Sequence, residues 1–357
     1  MSASSPELPW DIIYYISTRI SDLQTLDTCK AVSKQWNEIL QDPNFKIVHS
    51  KSTGVISSAF IIQMCNYSWN TPALKSIHSP PSSSPSPSIW LLNHGIVILA
   101  SCNQGLLLYG ERHKQYFSEF YYHVCKPATG QWLNLPDPDV DRPTIGLAIA
   151  AFGSNPLRFK IVRVSQIGPT KSSGVELQCE LFDSKLWAWR KLQNLVPPPK
   201  FDYMAPSIFV EGSFHWVTLD NNIVAFHVAT ESFRTFGMPK SMKFGQNYPI
   251  FKPRRLMDFQ GKLGLSCTAN GNKVELWLLM KGVWKRHLVV DLGRFKELEK
   301  SELIGFYDIG VVLLKTSSEL IFLRIRDNTL EKVKLDSSEW PVTHIFQFRS
   351  DFKRVKF

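Results

Sequence analysis

The 357-residue sequence lacks the patterns typical of common enzymes and metal proteins. It has no Gly-x-Ser-x-Gly elbow, no Gly-rich phosphate-binding loop, no Gly-x-Gly-x-x-Gly and no His-Glu-x-x-His. Its nine histidines never fall at metal-ligand spacing, and its six cysteines form no Cys-x-x-Cys pair. We therefore predict no catalytic residue, no metal site and no cofactor, and we expect reduced, mostly buried thiols.

Long apolar runs are absent as well. Stretches such as Ile145 to Phe152 are too short to span a bilayer, and Met1 to Glu7 carries no signal-peptide pattern. We therefore expect an intracellular protein, cytoplasmic or nuclear, with no membrane contact. The content of 44% hydrophobic residues is sufficient for a large folded core.

Basic residues are in surplus. Lysine and arginine number 41 against 31 acids, which gives a formal charge of +10. Such a charge fits nucleic acid, an acidic partner or a solvated basic surface. Because the basic residues are dispersed and no arginine-rich run occurs, nucleic acid is the least favoured of these readings.

The segment from Leu8 to Ser50 has helical periodicity. Leu8-Pro9-Trp10-Asp11 predicts a helix start, since proline and an acid both suit the first turn. Apolar spacing predicts three short helices, the second capped by Asp22 and the third ended by Asp42-Pro43. So small a bundle cannot bury all its apolar residues, which favours docking on the rest of the chain or on a partner.

These residues resemble the F-box motif in their order and spacing. The matching positions are Leu8-Pro9-x-Asp11-Ile12-Ile13, Ile16, Arg19-Ile20, Val32-Ser33-Lys34-x-Trp36 and Asp42-Pro43-x-Phe45. Tyr15 replaces the usual acidic residue, and Ser21 replaces the usual proline. The alternative is an ordinary helical cap on the following domain. The resemblance implies binding to the Skp-type adaptor of a cullin–RING ubiquitin ligase through Leu8, Pro9, Ile12, Ile13, Ile16, Ile20, Leu23, Leu26, Val32 and Trp36.

The remaining sequence has a repeat with a period of about fifty residues. Glycines recur between pairs of strand-like runs, at Gly105, Gly153, Gly212, Gly261 and Gly310. A glycine there supplies the positive φ of a tight hairpin turn. Each pair is followed by a third and a fourth run, which is typical of propeller blades. Five units of four strands are predicted, at 94–136, 144–195, 205–239, 253–292 and 302–336.

A sixth blade is predicted to close the ring. Val342 to Phe348 supplies one strand, and Val55 to Met64 and Leu74 to Ile77 supply two more; the insertion Ser79 to Ser88, rich in serine and proline, should be a loop. The fold class is thus α+β and multidomain: a three-helix unit followed by an all-β propeller of about six blades. The alternative is an irregular β-sandwich. The domain limits are 1–50, 51–93 for the connecting strands, and 94–357.

The repeat region resembles the F-box-associated domain of plant proteins. Ser101 to Leu107, Phe159 to Val164 and Phe209 to Trp216 are similar to three signatures of that family. Together the two resemblances imply a non-catalytic substrate-recognition subunit of a Skp–cullin–F-box ligase. The alternatives are a propeller scaffold without a ubiquitin role and a propeller that binds glycans or small molecules.

One long connection is strongly basic. Gly237 to Arg255 carries five lysines and arginines and no acid. Loops of this length in a compact domain are often functional. We predict that it binds an acidic or phosphorylated target segment, the alternative being a solvated loop. The candidate residues are Lys240, Lys243, Phe244, Tyr248 and Lys252. His215, inside a strand, is predicted to be a packed residue rather than a catalytic base.

Overall fold

A computed structural model provides the structure of the protein. It describes residues 8–20, 29, 31–42, 45, 48–49, 58–65, 72–78, 96–102, 105–112, 120–138, 143–152, 156–167, 176–193, 199–202, 205–239, 254–259, 261–269, 273–298, 301–308, 310–316, 318–335, 342–349 and 355–357.

The N-terminal part contains two helices among its described residues, α1 (Trp10–Ser17) and α2 (Lys34–Gln41). Pro9 precedes α1, and Ser33 caps α2 by accepting a hydrogen bond from the Trp36 amide. The end of α2 before Asp42 is as predicted. The predicted three-helix unit is not confirmed, because the second helix, with Leu23 and Leu26, lies outside the described residues.

The five predicted units each form a four-stranded antiparallel sheet, or blade. Blade 1 is β3 (Ile96–Ser101), β4 (Leu107–Arg112), β5 (Phe120–Lys126) and β6 (Gln131–Asn134). Blade 2 is β7 (Thr144–Phe152), β8 (Arg158–Ile167), β9 (Glu176–Asp183) and β10 (Ala188–Lys191). Blade 3 is β11 (Ile208–Val210), β12 (Ser213–Val217), β13 (Asn222–His227) and β14 (Ser232–Gly237). Blade 4 is β15 (Arg254–Phe259), β16 (Lys262–Ala269), β17 (Lys273–Met280) and β18 (Val283–Asp291). Blade 5 is β19 (Glu302–Asp308), β20 (Val311–Lys315), β21 (Glu319–Arg324) and β22 (Thr329–Lys334).

The blades are arranged as a propeller. Within each blade the strands pair in chain order, and the first strands contact one another in sequence from β3 through β7, β11 and β15 to β19. The first strands therefore lie nearest the common axis. Positive φ values at Gly105, Gly212 and Gly261 make the tight turns predicted between first and second strands. Gly153 lies outside the described residues.

The predicted number of about six blades is wrong: the described residues form five complete blades. The remaining strands, β1 (Ser58–Cys65), β2 (Pro72–His78) and β23 (Val342–Arg349), form a sheet of three in the order β2-β1-β23. The pairing predicted between the first and last of these segments is present, with Ile61 opposite Phe346. The sheet falls short of a blade because, among the described residues, a fourth strand is lacking.

The three-stranded sheet nevertheless lies between blade 5 and blade 1. On one side, Ile62 and Ile345 pack with Leu313 and Phe322 of blade 5. On the other, β23 contacts β3, and the Gln63 side chain accepts a 2.7 Å hydrogen bond from the Ile98 amide. The two ends of the strand-forming sequence are thereby joined.

Apolar clusters fill the clefts between successive blades. Strand β15 shows how one strand serves two of them: Leu256 packs towards blade 3, whereas Met257 and Phe259 pack towards blade 5. This division follows from the alternation of side chains along a strand. Both faces of a blade are consequently buried. The sequences of its first three strands therefore read as apolar runs and do not alternate between apolar and polar residues.

The cleft between blades 1 and 2 also contains a buried ion pair that the sequence did not indicate. Arg163 of β8 and Glu180 of β9 lie opposite each other, and Nη1 is 2.5 Å from Oε2. Arg163 Nε donates to Thr144 Oγ1 at 2.9 Å, and that hydroxyl lies 2.7 Å from the Tyr122 hydroxyl. Glu180 Oε1 is buried without a hydrogen-bond partner among the described residues, so the pair is incompletely satisfied.

The role of β23 can be tested with Ile345→Ala. Because Ile345 is buried against blade 5, we expect the free energy of unfolding to fall by about 2–5 kcal/mol, measured by urea denaturation. Val289→Ala, at an exposed position of β18, should change it by less than about 0.5 kcal/mol. Ending the chain after Trp340 should lower the melting temperature much further. Equal stability of Ile345→Ala and the wild type would contradict a closed ring.

The buried ion pair predicts an asymmetric mutant series. Glu180→Leu leaves the buried Arg163 guanidinium without its carboxylate partner, and we expect the free energy of unfolding to fall by about 3–5 kcal/mol. The double variant Arg163→Met/Glu180→Leu should regain most of this loss, because no buried charge remains. Glu38→Gln, which breaks the exposed pair with Lys34, is the control and should have little effect. A double variant as unstable as Glu180→Leu would show that the pair itself stabilises the fold.

Candidate functional site

The N-terminal helices have a small apolar core of their own. Ile13 is 1% exposed and packs with Ile39, Leu40 and Phe45, and Trp36 and Ile20 cover this core as partly buried residues. His49 closes it from one side, with Nε2 2.7 Å from the Ile20 carbonyl oxygen. Burial lowers the pKa of His49, which favours the neutral imidazole.

The opposite side of α1 is apolar and exposed. Ile12, Tyr15 and Ile16 on this side, and Leu8 just before the helix, are between 39% and 60% exposed, and we call them the α1 apolar face. Trp10 is exposed as well, but its ring stacks on Tyr14, which packs against the core. Helical spacing brings Ile12 and Ile16 onto one line, four residues apart, while Ile13 points into the core. A helix of eight residues with this many uncovered large side chains has the character of a binding surface.

The sequence-predicted adaptor residues are thus divided by the fold. Leu8, Pro9, Ile12 and Ile16 are exposed on or before α1, and Val32, before α2, is 64% exposed. Ile13 lies beneath them, and Ile20 and Trp36 are half-buried. Leu23 and Leu26 lie outside the described residues. Tyr15 belongs to the exposed face although the motif did not single it out.

Tyr15, which departs from the usual motif, has a partner. The guanidinium of Arg19 lies 5.1 Å from the centre of the Tyr15 ring, and Arg19 Nη2 donates to the Tyr15 hydroxyl at 3.3 Å. Tyr15 therefore holds Arg19 through its ring and hydroxyl, where an acidic residue would hold it by charge. The arginine remains beside the α1 apolar face.

The predicted target-binding residues Lys240, Lys243, Phe244, Tyr248 and Lys252 lie outside the described residues. The structure does describe the two ends of their segment, at Gly237 of β14 and at Arg254 of β15. Both ends lie on the side of the propeller where first strands begin and second strands end, which we call the loop face. Arg254 and Arg255 are therefore strand residues rather than loop residues.

His215 lies in the cleft between blades 3 and 4. It is 2% exposed, and its Nδ1 has no hydrogen-bond partner among the described residues. Burial and the positive charge of Arg234 lower the pKa of His215 to about 4, against weaker opposing hydrogen bonds with the backbone at Ser213 and Ile208. A histidine so enclosed is a neutral packing residue in this structure.

The buried histidine predicts acid sensitivity. Unfolding returns His215 to a pKa near 6.5, so the unfolded chain binds a proton that the folded chain excludes, and stability falls as pH falls. Between pH 7 and pH 5 this group should cost about 2 kcal/mol of unfolding free energy. His215→Gln should remove that part of the pH dependence, whereas His227→Gln should not. Identical slopes for wild type and His215→Gln would contradict the prediction.

The remaining features to consider are metal sites, cysteines and membrane-spanning helices. Among the described residues, clusters of three or more histidine, cysteine, aspartate or glutamate side chains suited to a metal ion do not occur. Cys102, Cys125, Cys179 and Cys267 are buried thiols, and Cys29 is partly buried. Within the described part of the chain, each helix is too short or too polar to cross a membrane.

Comparison with known proteins gives relatives from Arabidopsis thaliana. The protein named as F-box protein At1g53550 is 25% identical over 333 residues, which cover 86% of this chain and 77% of that protein. F-box protein At5g10340 is 24% identical, over 85% of this chain and 74% of its own length. F-box protein At5g41720 is 46% identical over 44 residues, 12% of this chain and 24% of that protein.

Among solved structures, apo AztD from Citrobacter koseri aligns over 82% of this chain and 99% of its own. The TM-score is 0.42 and the sequence identity is 9%, so we infer nothing from this likeness. The family model described as the F-box associated beta propeller domain matches residues 59–336, most of the chain and all five blades. The chain therefore belongs to the F-box associated beta propeller domain family.

Proposed function

We propose that the protein is the substrate-recognition subunit of a Skp–cullin–F-box ubiquitin ligase. The α1 apolar face binds the Skp-type adaptor, and through it the cullin, while the propeller binds the target protein. The observation that carries the proposal is the exposure of the α1 apolar face beside a small buried core. F-box proteins in general bind Skp adaptors, and the named relatives are F-box proteins.

The division of labour between buried and exposed residues supports adaptor binding. Ile13, Ile39, Leu40 and Phe45 hold α1 against α2. This contact leaves Ile12 and Ile16 free to insert into a partner without rearranging the helices. Burying each of these side chains contributes roughly 1.5–3 kcal/mol, which is enough for a stable contact when several act together.

The protein performs no covalent step in this proposal. Binding the adaptor and the target at once places target lysines near the charged ubiquitin-conjugating enzyme, and the raised effective concentration accelerates transfer. The target-binding part is the loop face, where the basic segment from Gly237 to Arg255 suits an acidic or phosphorylated target. The complex works in the cytoplasm or the nucleus.

Adaptor binding is tested with Ile12→Asp/Ile16→Asp. Two charges on the α1 apolar face should weaken adaptor capture by at least about a hundredfold, since roughly 3 kcal/mol or more of apolar contact is lost. The measurement is titration of purified adaptor, with circular dichroism to verify folding. The control is Val283→Asp/Val289→Asp, which makes the same change at two exposed apolar positions of blade 4. Equal capture by both double variants would refute the proposal.

Ligase function is tested separately by deleting Leu8 to Ser50. The deletion should abolish target ubiquitination while leaving the propeller able to capture the target. Persistent ubiquitination would favour a scaffold role without adaptor dependence. Affinity capture with the ligase step blocked, followed by mass spectrometry, identifies the target.

A further inference from the structure

Two adjacent arginines begin β15 on the loop face, and strand alternation sends them into different clefts. Arg254 lies towards blade 3, where Nη1 hydrogen-bonds Asn221 Oδ1 and approaches Met238 Sδ at 3.8 Å. Arg255 lies on the other side, like Met257 and Phe259, which pack towards blade 5. Arg254 is thus bonded to residues near blade 3, whereas Arg255 lies on the side of the strand that faces blade 5.

Arg255 is incompletely paired. Its side chain is half-buried, and its Nε and Nη1 atoms are buried with no hydrogen-bond partner among the described residues. A guanidinium remains charged throughout the physiological range, so its N–H groups cannot be relieved by losing a proton. Leaving charged donors buried and unpaired is costly, so an acceptor that enters the cleft beside Arg255 would be stabilised.

The nearby acids do not satisfy this need. Glu302, at the start of β19, and Asp202 act on Arg255 electrostatically, but neither hydrogen-bonds its Nε or Nη1. Glu302 is bound by Lys315, whose Nζ lies 3.0 Å from Oε2. Burial lowers the pKa of Arg255, although the negative charges of both carboxylates act in the opposite direction. The first strands of blades 4 and 5 therefore present an underpaired cation beside the propeller axis.

Arg255 also directly follows the most basic connection in the chain. Lys240, Lys243 and Lys252 precede it within fifteen residues without an intervening acid. The sequence just before Arg255 is therefore rich in positive charge, which favours an anionic partner.

We propose that Arg255 binds an oxyanion group of the target, a carboxylate or a phosphate, at the junction of blades 4 and 5 on the loop face. The inference rests on the proposed role of the propeller in target binding, and it names the residue that fixes the target's acidic group. Charge-assisted hydrogen bonds from arginine to such groups are among the strongest polar contacts in proteins.

The test uses the full-length chain and two small probes, sodium phosphate and sodium glutarate, at constant ionic strength set by sodium chloride. A ligand that binds only the folded state stabilises it by RT ln(1 + L/Kd), with L the free ligand concentration, and therefore raises the melting temperature. We expect at least one probe to raise it for the wild type. Arg255→Met should lose at least half of that shift, whereas Arg326→Gln, which removes an exposed charge at the turn between β21 and β22, should keep it.

Each outcome decides the point. A shift with phosphate alone assigns a phosphorylated residue to the site, and a shift with glutarate alone assigns an aspartate or glutamate. No shift in the wild type, or equal shifts in Arg255→Met and Arg326→Gln, overturns the proposal. Should Arg255→Met fail to fold, Arg255→Lys, which keeps the charge but changes the donor geometry, should bind more weakly than the wild type.

Failure here is distinguishable from failure of the proposed function. Arg255→Met should capture the adaptor as the wild type does, because the α1 apolar face is unchanged. If Ile12→Asp/Ile16→Asp loses adaptor binding but the wild type shows no shift with either anion, the ligase role is supported and only the Arg255 site is refuted.

Discussion

Face-to-face burial of successive blades is the constraint on which the rest of the structure depends. A four-stranded sheet has two faces, and here each blade buries both against its neighbours, as Leu256 and Met257 of β15 illustrate. Such an arrangement leaves no free sheet face only if the two ends of the series are joined, and the three-stranded sheet joins them. Connections also contribute to this packing, as Leu292 and Leu298 do between β18 and β19.

The sequence predicted the repeating part of this architecture well, for reasons that lie in turn chemistry. Gly105, Gly212 and Gly261 have the positive φ that their spacing suggested, and the strands around them form the expected blades. The count failed at the last unit because three strands, β1 and β2 near one end and β23 near the other, were counted as a blade, which needs four.

Burial within the helices was harder to predict than their existence. Ile12 and Ile13 are neighbours in an apolar helix, and the motif gives them the same weight, yet one is exposed and the other enclosed by Phe45 and Ile39. Only tertiary packing decides which of two adjacent positions turns inward. The same holds for Arg163 and Glu180: they meet through the register of β8 and β9 across a connection whose length conceals the pairing. Arg255 was likewise visible as charge in the sequence, but not as an underpaired group.

The pairing of β1 with β23 has a consequence for synthesis on the ribosome. About 280 residues separate the two strands, and at roughly 5–20 residues per second the first waits tens of seconds for its partner. During that time blades 1 to 5 can form in order, each on the one before, while the edge of β1 remains open. The nascent chain is then a growing stack with one unprotected strand, and its vulnerability to misassembly ends only when the most C-terminal strand arrives.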